Sequence, residues 1–91
     1  MDNNNRFIGQ VGLGYWGKNL LRNLYQLKSL RWAYDISPTI TSARAKEFPD
    51  VEYATSVQAI FQDPEIKGVA IATPASTHYQ LVKQALLAEK E

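Results

Sequence analysis

Cysteine is absent from the 91-residue chain, which excludes disulfides, thiolate catalysis and the usual cysteine-containing zinc sites, and fits a reducing compartment. Charge of one sign is lacking as well. Ten Lys and Arg stand against nine Asp and Glu, scattered to a net +1, so nothing marks a nucleic-acid or anionic-membrane partner. No apolar run approaches the roughly 18 residues of a membrane span. The polar start, Met1 to Arg6 with Asn3, Asn4 and Asn5, lacks the basic-then-apolar layout of a secretory leader. A soluble, cytoplasmic protein with no nucleic-acid and no membrane partner is therefore expected. At this length it forms one domain at most, with a small core.

What the chain does have is an alternation of strand and helix signals. Phe7 to Val11 is a short, mostly apolar run of the kind buried on both faces of a parallel sheet. Gln10 is its one polar member and is expected to face the sheet end or a polar neighbour. From Tyr15 to Lys28, Leu20, Leu21, Leu24 and Leu27 recur at helical spacing opposite Lys18, Arg22, Asn23 and Gln26. Leu30 to Asp35 reads as a second strand, and Ser37-Pro38 starts a short helix over about Thr39 to Phe48. Val51 to Tyr53 is a weak third strand. Thr55 with Gln58 has capping-box spacing ahead of another short helix, which Asp63-Pro64 stops. Gly68 to Thr73 is a clear buried strand closed by Pro74, and Thr77 with Gln80 repeats the capping box before a final helix with Leu81, Val82, Ala85 and Leu86 inside. Strands alternating with helices predict right-handed crossovers and a parallel sheet with helices on both faces.

Gly12, Gly14 and Gly17 form G-x-G-x-x-G between the first strand and the first helix, the context in which that pattern carries meaning. Gly12 allows the tight turn, Gly14 lets backbone approach a pyrophosphate, and Gly17 lets the helix pack closely. Helix-start amides and the positive end of the helix dipole then face the anion. Asp35, 18 residues after Gly17, ends the second strand, where a carboxylate can accept the adenosine ribose hydroxyls and repel a 2′-phosphate. The expected cofactor is NAD. The competing reading makes the glycines strand-to-helix punctuation and Asp35 a turn residue.

The strings VGLGYWGKNLLRNL and GVAIATPASTHYQLVKQAL, with Asp35 between them, resemble the amino-terminal domain of the glucose-fructose oxidoreductase, inositol dehydrogenase and rhizopine catabolism (Gfo/Idh/MocA) family. The GYWGKNLLRN portion is most similar to the branch acting on sugar nucleotides at C3. The resemblance implies a Rossmann-like α/β fold, truncated to about four strands in the order 3-2-1-4. It also implies Tyr15 and Trp16 in the phosphate loop, with Thr73, Pro74 and His78 lining the nicotinamide side. Residues 1–91 would then be one partial dinucleotide-binding domain. Tyr53 and Trp32 read as packing residues, Thr55 as a cap, and Lys46, Glu47, Glu65 and Lys67 as solvated charges.

The resemblance further implies a fifth strand with a catalytic lysine and a second domain that holds the sugar, both beyond Glu91. None of the residues in this chain forms a carboxylate pair, a Ser-His-Asp set or a metal-ligand cluster that could replace them, so no catalytic residue is assigned. Residues 1–91 are expected to be the cofactor-binding part of a sugar or sugar-nucleotide oxidoreductase without turnover of their own. Two alternatives are a free-standing nucleotide-binding or redox-sensing module, and a methyltransferase-like fold binding S-adenosylmethionine. The apolar strand over residues 68–73, unpaired on its outer edge, predicts a homo-oligomer formed through that edge.

Overall fold

A computed structural model describes residues 6–73 and 75–90. It contains β1 (Ile8–Val11), α1 (Tyr15–Gln26), β2 (Leu30–Tyr34), α2 (Pro38–Glu47), α3 (Val57–Phe61), β3 (Gly68–Ile71) and α4 (Ala75–Leu87). The three strands form one parallel sheet in the order β2-β1-β3. The chain leaves central β1 to one side and returns to its other side, so the strand order reverses at β1.

The two sheet faces carry separate cores. Val11, Ile60, Phe61, Ile66 and Ala85 meet on the face covered by α3 and α4, with Trp32, Tyr34 and Val69 packed against them. Leu13, Leu21, Leu30 and Ala33 meet on the α1 and α2 face, with Leu24, Ile40 and Tyr53 alongside. Period-2 alternation would set Leu30 and Ala33 on opposite faces. A register shift removes the conflict, because Ile8 and Gly9 pair with Leu30 and Trp32 and leave Arg31 as the extra residue.

That bulge lets two consecutive side chains reach one carboxylate. Arg31 Nε and Trp32 Nε1 each donate to Asp63 Oδ2 at 2.7 Å, and the Glu65 backbone N–H donates to Asp63 Oδ1 at 2.8 Å. Burial pushes the Asp63 carboxyl up, but the bonds from Arg31, Glu65 and Trp32 and the Arg31 charge outweigh it and hold the group below the usual aspartate value. The same bond raises the Arg31 guanidinium against the cost of its partial burial. Lys90, a charged residue near the chain end, is buried. Its ammonium donates to the Asp63 and Ile66 carbonyls at 2.6 and 2.8 Å, closing the α3–β3 connection from behind.

Several expectations shift. The third strand reduces to a bridge between Ala33 and Tyr53, held by the Ala33 N–H to Glu52 O and the Ala54 N–H to Ala33 O. It lies on the outer side of β2, where the four-strand order would place it, but Pro49-Asp50 on one side and a helix start on the other leave too little chain for a ladder. Helix α3 is capped by Ser56, whose hydroxyl accepts from the Ala59 N–H at 3.3 Å, not by Thr55. Helix α4 begins at Ala75, so Thr77 lies inside it, and the Thr77 hydroxyl donates to Thr73 Oγ1 at 2.8 Å. Ser37 does cap α2, with Pro38 in its first turn.

Candidate functional site

The carboxyl ends of all three strands open into one cleft of about 760 Å³, at the point where the strand order reverses. That is where open α/β sheets bind their ligands, and the volume suits a cofactor-sized molecule. Gly12, Gly14, Tyr15, Trp16, Asp35 and Thr73 all line it, brought together from the ends of β1, β2 and β3. Gly17 sits behind the loop, buried. His78 is exposed on the first turns of α4 and is not among the residues lining the cleft, whereas Thr77, Gln80 and Leu81 of that helix are. Pro74 lies outside the described residues.

The three glycines do different work. Gly12 has φ +103°, and a Cβ there would stand 2.5 Å from the Ala72 carbonyl oxygen. At Gly17 a Cβ would overlap the Gly12 carbonyl and approach Gln10 Nε2 to 3.3 Å, so the tight approach is to the loop itself as much as to the strand. A Cβ on Gly14 would meet nothing within 4 Å. It would project into open space at the start of α1, where Gly14 supplies no side-chain cap and the first turn holds no acidic residue. The first intrahelical bond runs from the Lys18 N–H to the Gly14 carbonyl, leaving the amides of Tyr15 to Gly17 ahead of it. An uncapped helix start with room in front of it fits a pyrophosphate.

Asp35 sits against this loop at the cleft wall. Its Oδ2 accepts from the Leu13 N–H and its Oδ1 from the Ser37 N–H, both at 2.8 Å. A carboxylate has about four acceptor directions, so each oxygen keeps one for a further donor such as a ribose hydroxyl. Tyr15 and Trp16 are 79% and 75% exposed and pack edge to face with ring centroids 5.0 Å apart, forming an aromatic rim at the cleft mouth. Trp32 and Tyr53, by contrast, pack against the two cores, and Tyr53 donates its hydroxyl to the Phe48 carbonyl at 3.0 Å. Burial raises the Tyr53 phenol above its usual value.

Three contacts were not legible as site features. Gln10 is fully buried on the α1 side of β1, with Nε2 donating to the Gly12 and Gly17 carbonyls at 3.0 and 2.8 Å. Its Oε1 has no hydrogen-bond partner among the described residues, which costs about 1–3 kcal/mol for a buried polar atom. Arg44, from α2, donates Nε to the Leu13 carbonyl at 2.7 Å. Glu47, expected to be a solvated charge, pairs with Arg44 at 2.9 Å and Lys18 at 3.3 Å, and the Lys18 bond is the main influence holding its carboxyl low. Only the polarity of Gln10 in an apolar strand gave a signal in the sequence. A second cavity of about 530 Å³, at Tyr25, Lys28, Arg31 and Asp50, contains no part of the glycine loop.

Solved structures share this fold. The chain is 29% identical over 86 residues to the uncharacterized oxidoreductase YrbE of Bacillus subtilis, covering 90% of this chain and 25% of that protein. Among solved structures, UDP-N-acetylglucosamine 3-dehydrogenase GnnA from Acidithiobacillus ferrooxidans is 25% identical with a TM-score of 0.80, covering 92% of this chain and 27% of that one. Biliverdin reductase from Synechocystis sp. PCC 6803, solved with biliverdin and NADP+, is 31% identical with a TM-score of 0.81 over the same shares. The chain thus spans about a quarter of the length of these relatives. Residues 7–91 match the family model described as the oxidoreductase family, NAD-binding Rossmann fold, and the chain belongs to that Gfo/Idh/MocA family.

Proposed function

We propose that this chain is the NAD(H)-binding portion of an oxidoreductase that moves hydride between a hydroxyl-bearing carbon of a sugar or sugar nucleotide and nicotinamide. The observation that carries the reading is the open space at Gly14 before an uncapped helix start, in the same cleft as the Asp35 carboxylate. When bound, the nicotinamide supplies the hydride acceptor or donor. The chain's own part is to hold the pyrophosphate on the amides of the glycine loop and first helical turn, and the adenosine ribose on Asp35. Tyr15, Trp16 and Thr73, which line the cleft, complete the cofactor-binding set, and Pro74 and His78 join it on the family resemblance alone.

NAD is favoured over NADP because the Asp35 carboxylate repels a 2′-phosphate and, among the described residues, no cation lines the cleft beside it. The similarity to GnnA supports a sugar-nucleotide substrate, within the branch that acts at C3. The titratable side chains lining the cleft are Tyr15, Tyr34 and Asp35, and Asp35 is engaged with the loop. Residues 1–91 are read as the cofactor half of a site, with the hydroxyl proton handled by the catalytic lysine that the family resemblance implies. The chain works in the cytoplasm and self-associates through the outer edge of β3, which has no strand partner among the described residues.

Isothermal titration of the chain with NAD+ and NADP+ tests this. NAD+ is expected to bind at least tenfold more tightly, and Asp35→Ser to narrow the gap, since about 1.4 kcal/mol corresponds to each factor of ten. Equal affinity for the two, unchanged in Asp35→Ser, would remove Asp35 from the ribose site.

A further inference from the structure

Two of the side chains that hold the glycine loop, Gln10 and Arg44, are not among the residues lining the cleft. A peptide unit is planar, and in its trans form the carbonyl and the following N–H point in opposite directions. The Gly12 carbonyl accepts from Gln10 Nε2 at 3.0 Å, while the N–H of the same peptide, on Leu13, donates to Asp35 Oδ2 at 2.8 Å. That peptide is gripped at both ends. The next one is gripped at its carbonyl, where Leu13 O accepts from Arg44 Nε at 2.7 Å. This turns the Gly14 N–H away from Arg44, on the stretch of loop that lines the cleft.

We propose that Gln10 and Arg44 are positioning residues that lock the two successive peptides from Gly12 to Gly14, so that the loop amides are set for a pyrophosphate before it arrives. The proposal rests on the dinucleotide reading above. Preorganised donors bind an anion without first having to be ordered, which is how such residues raise affinity without contacting the ligand. Gln10 is suited to the task by its position. It is fully buried on β1, directly behind the loop, and its second hydrogen ties the Gly17 carbonyl of α1 to the same amide at 2.8 Å. One side chain thereby couples strand, loop and helix. An apolar residue would avoid leaving Oε1 without a partner, but it would release both carbonyls. Arg44 is anchored in turn by Glu47, which also pairs with Lys18 of α1.

The test compares the parent chain with Gln10→Met, Arg44→Met and Arg44→Lys, by calorimetric titration with NAD+ and with adenosine, which carries no phosphate. Exchange of the Leu13 amide hydrogen is followed by NMR in the absence of ligand. Gln10→Met and Arg44→Met are each expected to weaken NAD+ binding about tenfold and leave adenosine within about twofold, with Arg44→Lys recovering part of the loss. Leu13 exchange should quicken in Gln10→Met. Folded variants with parental NAD+ affinity would overturn the proposal, as would equal losses for adenosine and NAD+, which signify general damage. If the parent binds neither ligand, the dinucleotide reading fails on its own. The exchange rate then still decides, because faster exchange at Leu13 sustains the locking role and parental exchange overturns it.

Discussion

Gly14 and Gly17 lie three residues apart in one motif, yet alanine at the two positions should fail in opposite ways. In a helix interior, Gly→Ala gains about 1 kcal/mol of propensity. At Gly17, however, the added Cβ overlaps the Gly12 carbonyl, backbone that cannot swing aside as a side chain can. Relief requires the loop to move off α1, which breaks the two bonds from Gln10 Nε2. Those bonds are worth about 1 kcal/mol each, and leaving their buried groups unpaired adds about 1–3 kcal/mol. The clash wins over propensity by at least about 2 kcal/mol, equivalent to a Tm lowered by about 8–16 °C or more for a domain of this size. At Gly14 the Cβ meets nothing, and the cost is the change from Gly to Ala at a helix N-cap, under about 1 kcal/mol. Its penalty should fall on the ligand, because the Cβ enters the space assigned to the pyrophosphate. Urea unfolding of both variants, with NAD+ titration of each, separates the two roles. A Gly17→Ala chain as stable as the parent, or a Gly14→Ala chain that binds NAD+ unchanged, would refute the reasoning.

Further expectations concern the opposite end of the sheet and the assembly. Asp63 has a carboxyl held below its ordinary value of 3.8, so its contribution to stability is complete above that value and is lost as pH falls through the lower folded value. Acid unfolding should therefore be less steep in Asp63→Asn, and an unchanged profile would count against the Arg31–Trp32–Asp63 node. Lys90→Met keeps the aliphatic stem but leaves the Asp63 and Ile66 carbonyls without their donor, and should cost about 2–4 kcal/mol in urea unfolding. Sedimentation should show association that grows with concentration, and a monomer at every concentration would remove the β3 edge as an interface.

The sequence made the strand-loop-helix unit legible because three local signals agree there: a short apolar run, glycines at fixed offsets and leucines at helical spacing. Asp35 was legible for the same reason, as the acidic end of the next strand. Contacts that depend on tertiary approach were not. The Arg31 bulge, the burial of Lys90 and the reach of Arg44 to Leu13 each join residues more than 20 positions apart, and no periodicity records them. Capping boxes misled by one residue at α3 and by more at α4, since Ser56 competes with Thr55 for the cap and Thr77 is drawn inside the helix to bond Thr73. Val51 to Tyr53 had the composition of a strand but only enough free chain for a bridge.

The central question is where NAD+ meets this chain. Amide chemical-shift mapping by NMR during NAD+ addition answers that directly. Perturbations are expected over Gly12 to Gly17 and at Asp35 to Ser37, with Arg31, Asp63 and Lys90 unmoved. Shifts centred on the cavity at Tyr25 and Asp50, or none at saturating NAD+, would contradict this placement.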